Sequence, residues 1–196
     1  MGYSKKVITG VSWTWALSIF SKIISFFTII FIARILSPSQ FGIYGIALLV
    51  MTLLEVLTET GINVVIIQEK NKIENYISSA WMVSILRGIF IALSIFLLAP
   101  FVSIFFNSPE VFNILLLLAV VPVLRGFVNP AEIKFQKELT FHKEFWYRLT
   151  IFFFGSATAL ILAIVTRSVS SLVFGLIASA ILEIALSFWF ISPKPH

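Results

Sequence analysis

Six long apolar stretches follow one another along the chain, separated by short breaks that carry polar and turn-forming residues. A helix needs about 20 apolar residues to cross the hydrocarbon core of a bilayer, and each stretch meets or approaches that length. We therefore predict an all-α integral membrane bundle in which residues 1–196 form a single lobe. Its six transmembrane helices are predicted at 7–35, 43–67, 76–101, 111–128, 146–165 and 172–191.

The first stretch begins like a secretory signal, because Lys5 and Lys6 precede it. It extends over about 29 residues and contains Lys22, whereas the apolar part of a signal peptide has ~7 to 15 residues. We expect this stretch to be retained as the first helix of the bundle.

Lysine and arginine are distributed unequally between alternate connections. The N-terminus, the second and fourth connections and the tail hold nine of these residues, including Arg148, whereas the remaining connections hold only Arg34 and Arg167. The positive-inside rule then predicts that both termini lie in the cytoplasm. The fourth connection, 129–145, alternates apolar and charged residues and is predicted to lie along the cytoplasmic interface as an amphipathic segment. A charged connector without further role is the alternative.

The composition excludes an ordinary soluble enzyme. Hydrophobic residues make up 59% of the chain and charged residues 12%, and the mean hydropathy is +1.04. The net charge of +5 comes from cations scattered among apolar stretches, which favours membrane orientation over nucleic-acid binding. Cysteine and aspartate are absent, and His142 and His196 are the two histidines. No phosphate-binding loop, dinucleotide motif or hydrolase motif occurs, so we predict no enzymatic activity, no cofactor and no metal.

Apart from Arg34 and Arg148, which are counted above with the connections, six ionisable side chains fall inside the predicted helices. Each costs about 2.5 to 3.5 kcal/mol near the centre of a membrane helix, so these groups should face one another or water. Polar residues recur on the same helical face in several stretches, which predicts a bundle around a hydrated interior. The six are Lys22, Glu55, Glu59, Arg87, Arg125 and Glu183.

Two roles are open for these charges. The cations Lys22, Arg87 and Arg125 suit an anionic head group, because guanidinium and ammonium groups make strong hydrogen bonds to phosphate. The carboxylates Glu55, Glu59 and Glu183 suit coupling to protons or Na⁺. The alternative is that the two sets only pair with each other and fix the helix register. Arg125, near a helix end, has the further alternative of reaching the interface.

Several strings resemble a known family. They are FSKIIS at 20–25, ARILSPSQFGIY at 33–44, ETGI at 59–62, IQEK at 67–70, Trp81, Arg87-Gly88, Asn129-Pro130 and KELTF at 137–141. In this order they resemble the polysaccharide biosynthesis proteins, which are Wzx-like lipid-linked oligosaccharide flippases of the MATE/MOP superfamily. The similarity covers nearly the whole chain.

The resemblance implies a flippase of the bacterial cytoplasmic membrane that carries undecaprenyl-pyrophosphate-linked oligosaccharides outward for surface polysaccharide biosynthesis. It implies that Lys22 and Arg87 match basic positions of the family, and that the partners are membrane lipid, the lipid-linked glycan and the polysaccharide assembly machinery. Family members have two lobes of about six helices each, so the chain is expected to be a truncated or half-length N-terminal lobe. A separate second lobe or a homodimer would supply the other half.

Two other functions stay open at the level of the sequence. One is an ion-coupled small-molecule antiporter of the same superfamily, in which Glu55 and Glu59, one helical turn apart, would share a proton. The other is a non-transporting membrane subunit or remnant.

Overall fold

The computed structural model describes residues 2–59, 61 and 74–191, and its elements within these ranges are helices and turns. The helices are α1 (Gly2–Ala33), α2 (Pro38–Leu57), α3 (Glu74–Phe105), α4 (Pro109–Leu118), α5 (Val120–Gly126), α6 (Lys134–Lys137), α7 (Phe141–Thr166) and α8 (Ser170–Phe190). A 3-10 turn, Pro130–Ile133, lies between α5 and α6. The predicted all-α class is confirmed.

Six segments of the described chain are long and apolar enough to cross a membrane, and they match the six predicted stretches one to one. The fourth consists of α4 and α5, which join at Ala119. The segments are Ser12–Ala33, Pro38–Leu57, Ile77–Phe105, Pro109–Gly126, Phe141–Thr166 and Ser170–Phe190. The orientation of the termini stays a prediction.

The second helix begins and ends earlier than predicted. Its start is fixed by a capping box, in which the Ser37 hydroxyl accepts from the Gln40 backbone N–H and the Gln40 side chain accepts from the Ser37 N–H. Pro38 occupies the first turn, where its missing N–H has no helical partner to lose. The helix ends at Leu57, so the prediction of a continuous helix over 43–67 is wrong. Residues 62–73 lie outside the described part.

The segment 129–145 also differs from a simple connector. Asn129 is fully buried, and its side chain accepts from the Ala131 N–H at 3.0 Å and so starts the 3-10 turn. The segment continues into α6, and α7 already begins at Phe141. Ala131 and Ile133 are buried in an apolar cluster with Ile77 of α3, so the segment packs into the bundle. Its predicted position at the cytoplasmic interface is untested.

Glycine allows close backbone approach at two helix crossings. α7 lies against α8 where Gly155 faces Gly175, and α3 lies against α5 where Gly88 and Gly126 take the same role. A Cβ added at Gly126 would lie 2.9 Å from the Ser84 carbonyl oxygen. Close backbone approach of this kind is typical of membrane helix interfaces, which use small residues.

The first two helices pack against different partners. α1 lies mainly on α7, whereas α2 lies on α4 and α3. They come together at one end of the bundle, where the Gln40 side chain donates to the Arg167 carbonyl at 3.3 Å. At the other end, α1 contacts Phe145 through Trp13 and Phe20. Only 6% of the apolar membrane-spanning part of α1 is buried inside the bundle. Most of this helix is therefore available to lipid or to another protein surface.

Candidate functional site

Two arginines and a glutamate meet where α2 ends. The Arg87 guanidinium, on α3, donates from Nη2 to the Glu55 carbonyl oxygen at 2.6 Å and from Nε to the Thr58 hydroxyl at 3.2 Å. The Thr58 hydroxyl itself donates to the Leu54 carbonyl at 2.6 Å. The last carbonyls of a helix have no intrahelical donor, so Arg87 and Thr58 satisfy the carboxyl end of α2.

Arg125 completes this cluster from the end of α5. Its Nη1 lies 3.3 Å from Glu55 Oε1, and its side chain is 42% exposed. Among the described residues, the Arg125 guanidinium uses one N–H group on Glu55. Its other N–H groups remain available as donors, since the side chain is partly exposed. We call Glu55, Thr58, Arg87 and Arg125 the α2-end cluster.

The position of Glu55 along its helix differs from the prediction. Glu55 was expected near the middle of a helix that continues to residue 67, but it lies two residues before the end of α2. With 20 residues at 1.5 Å each, α2 is about 30 Å long and matches the thickness of the hydrocarbon core. Glu55 therefore lies near the end of a membrane-length helix, and we expect a charged group there to cost less than at the centre.

Glu183 lies on α8 near the α2-end cluster. Arg125 and Arg148 both act electrostatically on its carboxylate, and its backbone carbonyl accepts from the Tyr147 hydroxyl at 3.3 Å. Four of the six ionisable residues singled out in the sequence therefore belong to one region of the fold: Glu55, Arg87, Arg125 and Glu183.

The other two lie elsewhere. Glu59 follows the end of α2 and is exposed, with its backbone N–H bonded to the Val56 carbonyl at 3.2 Å. The predicted helical pair of Glu55 and Glu59 is therefore wrong. Asn63, which the four-residue spacing places on the same predicted helical face, lies outside the described residues. Lys22 is exposed on α1 and makes no hydrogen bond or ion pair with another described residue.

The predicted polar stripes include serines that bond to backbone groups, and the hydrated interior stays a prediction. Several hydroxyls bond to their own helix, as Ser18 does to the Thr14 carbonyl and Ser94 to the Phe90 carbonyl. On α8, Ser187 is buried and accepts from the Asn129 N–H at 3.1 Å. These serines bond to backbone groups of their own helix or of a neighbouring segment. Helix packing therefore accounts for part of the predicted polar stripes.

A second charged cluster was not singled out from the sequence. Arg148 was assigned to the fourth connection, but it lies on α7, where its Nε is 2.9 Å from Glu144 Oε1 and its Nη2 is 3.8 Å from Glu132 Oε1. The Gln136 side chain also donates to Glu144, at 3.0 Å. The four-residue spacing of Glu144 and Arg148 was the available signal, because such pairs face each other on a helix.

Glu132 is the most unusual member of this second cluster. A quarter of its side chain is exposed, but its Oε2 atom is buried and has no hydrogen-bond partner among the described residues. Burial raises the pKa of Glu132 to about 7, with Glu183 and Glu144 adding to the rise and Arg148 opposing it.

A cavity of about 440 Å³ opens beside Glu144, between α1, α6 and the start of α7. Aromatic side chains form much of its wall, and Gln136 and Glu144 provide its polar edge. The lining residues are Trp13, Thr14, Leu17, Gln136, Phe141, Glu144 and Phe145.

Comparison with known proteins gives the family. The family model described as "Polysaccharide biosynthesis protein" matches residues 31–196, which is most of the chain. The chain belongs to this polysaccharide biosynthesis protein family. The resemblance of the short strings to that family is thereby confirmed, and the chain is a multi-pass bacterial membrane protein.

Three curated relatives are similar to this chain at nearly the same level of sequence identity. An "Uncharacterized membrane protein in cps region" of Klebsiella pneumoniae is 25% identical over 96% of the chain and 39% of its own length. The succinoglycan biosynthesis transport protein ExoT of Rhizobium meliloti is 25% identical over 93% of the chain and 37% of its own length. The lipopolysaccharide biosynthesis protein WzxC of Escherichia coli is 24% identical over 73% and 29%.

The chain spans less than two fifths of the length of each of these relatives. No solved structure matches it.

Proposed function

We propose that this chain forms part of a transporter that moves an oligosaccharide linked to undecaprenyl pyrophosphate across the cytoplasmic membrane, toward the outer leaflet. The family and the relatives' names support a role in surface polysaccharide biosynthesis, and one relative is named as a transport protein. The α2-end cluster is the observation that carries the proposal, because it places two guanidinium groups together where a membrane-spanning helix ends.

Within this cluster we assign the contact with the anionic head group to Arg125. Arg87 already uses Nε and Nη2 on the end of α2, whereas the Arg125 side chain bonds to Glu55 alone among the described residues and is 42% exposed. A pyrophosphate presents several acceptor oxygens to such a guanidinium, and bidentate contact is the strong form of this interaction.

Glu55 acts in this scheme as an exchangeable counter-ion. Without substrate it neutralises Arg125, which keeps the cation from being isolated at the membrane boundary. A pyrophosphate displaces the carboxylate because it carries more negative charge, and the pair forms again when the substrate leaves. Glu183, on which Arg125 also acts, limits the repulsion between cations during this exchange.

Lys22 is proposed as a further cation for the substrate, on the exposed face of α1. The driving ion, a proton or Na⁺, is assigned to the carboxylates of the same region. The transporter is completed by a second set of helices, whether in the same polypeptide, in a separate one or in a second copy, since rocking between two lobes is the general mechanism of such carriers.

The test is substitution of Arg125 in the complete gene, with the amount of surface polysaccharide and of lipid-linked intermediate as the readout. We expect Arg125→Ala to lower export about tenfold or more, because a hydrogen bond to a charged group contributes about 1.5 to 3 kcal/mol. Arg125→Lys should retain part of the activity.

Arg34→Ala is the matched control, since Arg34 is an exposed arginine in the turn after α1. It should leave export at the wild-type level. Wild-type export by Arg125→Ala, at equal protein abundance in the membrane, would show that Arg125 does not contact the substrate.

A further inference from the structure

The second charged cluster has more carboxylates than cations. Glu132, Glu144 and Glu183 share Arg148, which makes its short contact to Glu144 and a longer one, 3.8 Å, to Glu132. Arg125 also acts on Glu183 but is itself paired with Glu55, so these two guanidinium groups face four carboxylates and an additional positive charge would stabilise the cluster.

Glu132 is the carboxylate that is least well satisfied. Its Oε2 atom is removed from solvent and receives no hydrogen bond from any residue in the described ranges. The nearby Tyr147 hydroxyl has a single proton to donate, and both the Glu183 carbonyl, at 3.3 Å, and the Glu132 carboxylate compete for it, while Oε2 of Glu132 stays without a donor in the described ranges. A buried carboxylate oxygen without a donor is unfavourable, and protonation removes the charge that burial penalises.

The surroundings of Glu132 supply little positive charge. Its neighbours along the chain, Ala131 and Ile133, belong to an apolar cluster with Ile77 and Ala80 of α3. Lys134 and Lys137 follow on the same segment and have interactions of their own. Among the described residues, the titratable groups that act on Glu132 are Glu144, Tyr147 and Arg148 from α7 and Glu183 from α8.

The cavity beside Glu144 gives this cluster access to water. Its volume of about 440 Å³ is enough for several water molecules, and Glu144 and Gln136 form its polar edge. Glu144 and Glu132 both pair with Arg148, so the cavity brings water to a carboxylate that is linked to Glu132 through one guanidinium group.

We propose that Glu132 is a proton-binding site in a cluster that the cavity opens to water at Glu144, and that its charge state decides how Arg148 is shared among the three carboxylates. A proton from water binds at the Glu132 carboxyl, which becomes neutral, and Arg148 then pairs with Glu144 and Glu183. Loss of the proton returns the negative charge to Glu132 and draws Arg148 toward it. The direction of the pKa shift of Glu132 agrees with this assignment.

The segment that carries Glu132 gives the exchange a structural consequence. Pro130–Ile133 contacts α3 and α6, and α6 contacts α7, so the pairing of Glu132 with Arg148 contributes to holding this segment on α7. Proton binding therefore loosens one contact between the segment and the bundle. The inference goes beyond the proposed transport function, and its test needs no glycan.

Infrared difference spectroscopy of the purified full chain in lipid nanodiscs tests the site directly. We expect a protonated-carboxyl C=O band in the wild type that titrates at near-neutral pH and is absent in Glu132→Gln. Glu138→Gln is the matched control, because Glu138 is exposed just after α6 and its substitution should leave the band unchanged. A near-neutral band that persists in Glu132→Gln, or that is missing from the wild type, would overturn the proposal.

Two neighbouring substitutions keep the proposal testable if Glu132→Gln does not fold. Arg148→Gln removes a cation that favours the charged form, so the midpoint of the band should move to higher pH. Glu183→Gln removes a negative charge, so the midpoint should move to lower pH. A midpoint that moves in neither direction, or moves the opposite way, would show that the titrating group is not Glu132.

Discussion

Arg87 illustrates how a single charged residue in an apolar helix can have a structural role. Its guanidinium, carried by α3, donates to the carbonyl end of α2 and so connects the two helices. The sequence predicted that Arg87 has a polar partner, because an isolated cation in a membrane helix is unfavourable. It did not predict that the partner is a backbone carbonyl, since that depends on where α2 ends.

Replacement of Arg87 should therefore affect stability. Arg87→Met retains most of the side-chain volume but removes the donors, and we expect a loss of about 1 to 3 kcal/mol because the Glu55 carbonyl loses its partner. Thermal unfolding of the purified protein measures this loss as a lower Tm. Arg34→Met is the control for removal of an exposed arginine, and an equal Tm for both variants would contradict the capping role.

At the scale of elements, the crossing of α7 and α8 depends on two glycines. A Cβ added at Gly155 would lie 2.8 Å from Ser179 Cβ and 3.0 Å from the Gly175 carbonyl oxygen, which is closer than ordinary van der Waals contact. Small residues in the sequence indicated that helices approach closely somewhere. They did not indicate which glycines, because Gly42 and Gly45 on α2 have open space beside them.

Gly155→Ala should push α7 away from α8 and destabilise the bundle by about 1 to 3 kcal/mol, as overpacking does in tightly packed sites. Gly42→Ala is the matched control, since nothing lies within 4 Å of an added Cβ there. The measurement is the Tm of each variant in the same detergent. The crossing would be less tight than the structure indicates if Gly155→Ala were as stable as Gly42→Ala.

At the scale of the whole molecule, the helices pack so that α1 and α2 meet at the end near Arg167 and contact different helices at the other end. The α2-end cluster lies at that second end, where α2 finishes. The asymmetry of positive charge predicts that this end faces the cytoplasm, because α2 runs from the first connection toward the second.

The chain contains no cysteine, so a thiol-reactive reagent labels only a cysteine that is introduced by substitution. The side of the membrane on which that cysteine lies can therefore be measured directly. We expect Arg34→Cys to react with a membrane-impermeant maleimide in intact spheroplasts. Glu138→Cys should react only after the membrane is permeabilised. Both positions are exposed in the structure, so the reverse pattern of labelling would contradict the predicted topology.

The sequence by itself determined the number of membrane helices and their approximate positions, because the length of an apolar stretch is a local property. It also indicated that charges inside those helices need partners, which the structure gives to Glu55, Arg87 and Arg125 but, within the described residues, not to Lys22. Only the tertiary structure decided which partners these are, since Glu55 and Arg125 are 70 residues apart and Arg87 reaches a carbonyl 32 residues away. Such pairs form where glycine crossings and helix ends bring distant segments to the same depth, and no local pattern contains that information.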